Sequence, residues 1–106
     1  MKLTNTETKI IKAFRDREAR VNRLQNVYFI TDSSKKLVKI GITGRSVKER
    51  VGDMQPYNPY PLIILKTEKG SIHRERELHR KFQNYRSHNE WFFIKGDLKK
   101  YLKNVL

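Results

Sequence analysis

Two runs of β-branched and aromatic residues, Val27-Tyr28-Phe29-Ile30 and Leu37-Val38-Lys39-Ile40-Gly41-Ile42, flank the polar cluster Asp32-Ser33-Ser34-Lys35-Lys36, a pattern that predicts a β-hairpin. With Asp32 opposite Leu37, Val27 faces Ile42 and Phe29 faces Ile40. Val38 falls on the same side, so this face is wholly apolar and must be covered by protein. The other face pairs Tyr28 with Gly41 and Ile30 with Lys39. It is expected to stay uncovered, presenting a phenol, an ammonium and bare backbone. A third run, Leu62-Ile63-Ile64-Leu65-Lys66-Thr67, follows a loop with prolines at 56, 59 and 61. Being apolar on both faces, it reads as the central or most covered strand.

Helical periodicity fills the remainder. Thr4, Asn5 or Thr6 can cap a helix running to about Leu24, whose seam is Ile10, Ile11, Phe14, Val21 and Leu24. Its other positions are rich in Lys and Arg, as suits either a phosphate-contacting helix or a solvated face. Ser46 and Glu49 have capping-box spacing, so a second helix starts there with Val47, Val51 and Met54 inward. Arg50 lies beside that stripe, where its stem can follow the apolar layer and its guanidinium can reach the sheet. Ser71 caps a third helix reaching about Ser87, with Ile72, Leu78, Phe82 and Tyr85 as anchors. Asn89 to Ile94 is an aromatic run that seals the core. Gly96-Asp97 opens a last helix on Leu98, Tyr101, Leu102 and Val105.

Composition narrows the function. At 106 residues the chain supports one domain, and with no cysteine it has neither disulfides nor thiolate metal sites. No apolar run is long enough for a membrane span or a signal peptide, so a cytoplasmic protein with no membrane association is expected. The 24 Lys and Arg outnumber 11 Asp and Glu, a net charge of +13 that favours a polyanionic partner, nucleic acid before membrane; simple solubility is the bland alternative.

One residue on the third helix does not belong to a scaffold. Glu75 lies three residues from both Ile72 and Leu78, on the inward stripe, and an unpaired buried carboxylate costs several kcal/mol. It must meet a cation, a metal or a donor network. His79 shares its face, and His73 with Glu77 forms a second such pair. With no third ligand evident, zinc is disfavoured, and a structural His79 donating to carboxylate or backbone is the plainer reading. Tyr57 and Tyr60 in the proline loop suit either base stacking or packing on their own loop. Arg45 reads as an ordinary solvated arginine.

In order, Asn26-Val27-Tyr28, Lys39-Ile40-Gly41, an arginine at Arg50, Glu75 within Glu-Arg-Glu-Leu-His-Arg-Lys-Phe, and Asn89-Glu90-Trp91-Phe92 resemble the GIY-YIG nuclease superfamily. The likeness is to the phage and bacterial branch with Lys-Ile-Gly in place of Tyr-Ile-Gly, and it covers roughly residues 26–94. The family's closing asparagine corresponds to Asn89 or Asn84. The resemblance implies an α+β fold: a small antiparallel three-stranded sheet flanked by helices. Residues 1–25 would add an N-terminal helix and 95–106 a C-terminal helix to one domain spanning 1–106.

By the same resemblance the function is metal-dependent endonuclease hydrolysis of DNA, with RNA as a further possible substrate. The catalytic set is Tyr28, Lys39, Arg50, Glu75 and His79. Glu75 would hold one Mg²⁺ or Mn²⁺, and Tyr28 would take the proton from water, its phenol poised by the nearby Lys39. Arg50 would clamp the phosphate. Arg45, Lys48, Arg74 and Arg76 are candidate nucleic-acid contacts. The rival reading is a non-cleaving phage module that binds nucleic acid or a host protein on the same fold.

Overall fold

The hairpin forms in the expected register. In the computed structural model, β1 (Gln25–Asp32) and β2 (Leu37–Thr43) are antiparallel, with Val27 opposite Ile42, Tyr28 opposite Gly41, Phe29 opposite Ile40 and Ile30 opposite Lys39. Asp32 and Ser34 shape the turn, Asp32 Oδ1 accepting from the Ser34 amide at 2.9 Å. Lys35 takes φ 53 there. The structure describes residues 4–106, without the side chains of residues 14 and 16–22.

The sheet is larger than expected. It has five antiparallel strands in the order β3-β1-β2-β5-β4, adding β3 (Leu62–Gly70), β4 (Arg86–His88) and β5 (Trp91–Phe93). The three-stranded expectation is therefore wrong, although the mixed α+β class fits. Its cause is the segment from Arg86 to Phe93, too short and too polar to show a period of two, which pairs only because β2 offers it an edge.

β3 is an edge strand, not the central one. A bulge between Phe29 and Ile30 sets Leu65 out of the ladder and against the main core, and Ile63 and Ile64 are left 36% and 40% exposed. The apolar run thus records a changed phase along the strand, not burial on two faces.

Helices cover both faces. α1 (Asn5–Asn22) opens with the reciprocal cap of Thr4 and Glu7. Ile10, Ile11 and Leu24 of its expected seam are exposed, and Phe14 and Val21 lie outside the described side chains. α3 (Ile72–Lys81) stops short of Ser87, giving way to a 3₁₀ turn over Gln83–Tyr85. α4 (Gly96–Tyr101) completes the first face, where Val27, Phe29, Val38, Ile40 and Phe92 pack on Leu78, Phe82, Leu98 and Leu102. Val105, expected within that stripe, is 38% exposed.

The second face is not uncovered either. α2 (Val47–Met54) lies over it, and Tyr28 and Ile30 form a second cluster with Val47 and Met54, flanked by Val51 and Leu62. Tyr28 is 1% exposed. Its ring lies across the sheet over Gly41, where a Cβ would overlap the phenol. Glycine is required there to let the ring lie flat, and a covering helix is the physical consequence of Tyr28 and Ile30 sharing this face. Ser46 caps α2 by accepting from the Glu49 amide, but Glu49 turns its carboxylate to Arg45 in place of completing the box.

Candidate functional site

β5 follows β2 from Leu37 to Lys39, and beyond it the Ile40 amide still donates to the Glu90 carbonyl at 3.0 Å while the Ile40 carbonyl has no strand partner on that side. His79 fills that vacancy. Its Nε2 donates to the Ile40 carbonyl at 2.7 Å, which fixes the tautomer with Nδ1 as the acceptor in neutral imidazole. Its ring packs on Phe92 at 5.1 Å. This is the backbone contact of a structural histidine, and it also brings α3 over the end of β5.

That placement creates a cleft of about 540 Å³ lined by Lys39, Glu75, Arg76, His79, Arg86, Asn89, Glu90 and Trp91. An adjoining cleft of about 430 Å³, sharing Lys39 and Trp91, is lined by Arg50, Asp53, Met54, Tyr57 and Asn58. Lys39 and Trp91 are direct cross-strand partners, which puts both side chains on one face and makes them the wall between the clefts.

Glu75 is 9% exposed. None of the ion pairs among the described residues includes it. Burial holds its carboxyl above the usual range, the Glu90 carboxylate adds to the effect, and His79, Arg76 and Lys39 oppose it. Glu90 was not singled out from the sequence. No local pattern marks it: it is carried by the turn between β4 and β5 at Asn89, which is held at φ 50. Arg86 steadies that turn by donating to the Asn89 carbonyl at 2.7 Å.

Lys39 and Tyr28 are arranged differently from expectation. The Lys39 ammonium lies 3.4 Å from Met54 Sδ and 3.9 Å from a Glu90 oxygen. The cation beside the phenol is Arg50. Burial nevertheless dominates and pushes the Tyr28 phenol above its ordinary 10.0, with Arg50 pulling against it and Glu90 and Glu75 adding to the rise. Tyr28 lines neither cleft.

Among the four expected nucleic-acid contacts, two are occupied within the chain. Arg45 pairs with Glu49 at 3.1 Å and Asp53 at 2.6 Å. Arg74 pairs with Glu68 at 2.7 Å and Glu77 at 2.6 Å and donates to the Tyr101 hydroxyl at 3.2 Å. Arg76 is exposed at the first cleft, and Lys48 is exposed on α2 away from both. Of the two asparagines, Asn89 lines the cleft and Asn84 does not.

The donor set of the cleft suits a hard divalent cation. Two carboxylates, Glu75 and Glu90, line it together. Among the described residues no three His, Cys, Asp or Glu side chains gather as a ligand group. Water would therefore complete most of a shell, as Mg²⁺ prefers. No helix among the described residues is long and apolar enough to cross a membrane.

No curated protein and no solved structure matches the chain. A family model described as the T5orf172 domain matches residues 25–106, from the first residue of β1 through α4 and the whole of both clefts. The chain therefore belongs to the T5orf172 domain family, a phage-associated domain of nuclease-related type.

Proposed function

We propose that the protein is a metal-dependent endonuclease acting on DNA, of the GIY-YIG type that its motifs resemble. The observation that carries this reading is Glu75, a carboxylate 9% exposed and without an ion pair among the described residues, facing a cleft shared with Lys39, Arg76 and His79 on a chain of charge +13. A purely structural carboxylate at that depth would be neutralised by a partner.

Lys39 and Arg76 bind the phosphate oxygens in the first cleft, and Arg50 reaches the same strand from the second. Glu75, with Glu90 beside it, would hold Mg²⁺ or Mn²⁺, which when bound supplies Lewis acidity and an activated water. His79, fixed through Nε2, offers Nδ1 to a proton at the cleft wall. The phenol of Tyr28, buried and pushed upward, serves as a neutral hydrogen-bonding group against Arg50 and not as a resting phenolate. The same buried phenol favours a second reading, a module that binds nucleic acid without cutting it.

A nicking assay on single- and double-stranded DNA and RNA, with and without Mg²⁺ or Mn²⁺, separates the two. Cleavage is expected only with metal, and Glu75→Gln should abolish it while leaving binding within about threefold. Binding without any metal-dependent cleavage would leave the non-cutting module.

A further inference from the structure

Tyr57 is 88% exposed. Its ring lines the second cleft together with Trp91, and the loop that carries it is held in place by side-chain hydrogen bonds. Pro56 is the second residue of the 3₁₀ turn Gln55–Tyr57. Gln55 pins the loop at its far end, donating through Nε2 to the Tyr60 carbonyl at 3.0 Å and accepting at Oε1 from the Leu62 amide at 2.8 Å. Asn58 donates through Nδ2 to the Met54 carbonyl at 2.8 Å, tying the loop back to the end of α2. Packing of Tyr57 on its own loop, the alternative open from sequence, is excluded by the exposure.

We infer that the cleft between Tyr57 and Trp91 is a subsite for an unpaired nucleobase, so that the protein engages single-stranded nucleic acid by stacking as well as by charge. The inference rests on the nucleic-acid reading above and adds a substrate class to it. Lys39 and Arg50 lie in the same cleft and supply cations for the phosphate next to the stacked base. Asp53, which would repel a phosphate, is neutralised by Arg45 at 2.6 Å. A duplex keeps its bases stacked on one another and cannot offer a face to Tyr57, whereas a single strand, a flap or a splayed end can. The pre-set loop avoids an ordering cost on binding.

Trp91 is the chain's single tryptophan and borders both clefts, so its fluorescence reports binding at either, and the Tyr57 variants assign the signal. The test titrates the metal-free protein with three 20-nucleotide probes at one salt concentration: a thymidine strand, an abasic strand with the same phosphates, and a duplex. The thymidine strand should quench Trp91 and bind about tenfold tighter than the abasic strand. Tyr57→Ala should remove that preference without changing abasic or duplex binding, and Tyr57→Phe should keep it. Equal binding of thymidine and abasic strands, or a Tyr57→Ala variant with the preference intact, overturns the stacking subsite while the nuclease reading stands. Failure to bind any of the three probes overturns both.

Discussion

The two faces of the sheet carry the same strands but differ in what covers them. On one, Phe29, Ile40 and Phe92 are 0% exposed beneath α3 and α4, and the packing is apolar apart from the His79 imidazole at its margin. On the other, α2 covers Tyr28 and Ile30 and meets the Lys39 ammonium only through Met54, so the second cleft opens beside α2, while the first opens where α3 passes the end of β5. A complete lid makes a core; an incomplete one makes a site.

Truncation should expose that contrast most strongly. Phe92→Ala on the closed face is expected to cost about 3–5 kcal/mol, enough to unfold a domain of ordinary stability, whereas Met54→Ala on the open face should fall at or below about 2–3 kcal/mol because solvent already reaches it. Chemical denaturation measures both. Equal losses would show the two faces to be one continuous core.

Gly41→Ala sharpens the picture of the open face. The added methyl meets the Tyr28 ring, which is trapped between sheet and α2, and overpacking of this kind costs about 1–3 kcal/mol. Tyr28→Leu should recover part of the loss in the double variant, a coupling that a double-mutant cycle reads directly. A neutral Gly41→Ala would mean that the phenol is free to leave its place over the backbone.

The smallest effect concerns Glu75 in metal-free buffer. Its folded-state carboxyl lies above the ordinary 4.5, so the folded state holds the proton more tightly than the unfolded chain, and stability is lost as pH rises from that ordinary value through the raised one. Glu75→Gln removes this loss. The variant should melt a few degrees above wild type at neutral pH, and the gap should close below pH 4.5. Added Mg²⁺ should raise the wild-type melting temperature and leave the variant unmoved. A variant that melts lower than wild type, with or without metal, would make Glu75 a structural anion.

Local signals were legible where the chemistry is local. The hairpin register follows from alternation between Val27 and Ile42, the start of α2 from Ser46, and the inward position of Glu75 from its spacing to Ile72 and Leu78. Each needs only neighbours a few residues apart. The sequence by itself therefore determined the hairpin, the inward stripes of α2 and α3, the strong positive charge and the presence of a misplaced carboxylate. Tertiary structure alone decided the rest. The edge position of β3 depends on a bulge against β1, and β4 and β5 exist because β2 has a free edge. Burial of Tyr28 depends on where α2 lands, and the approach of Glu90 to Glu75 and Lys39 depends on a turn at Asn89 that meets a helix one strand away. These are pairings between segments far apart in the chain, whose energies come from surfaces that exist only after folding, so no period or propensity within either segment records them.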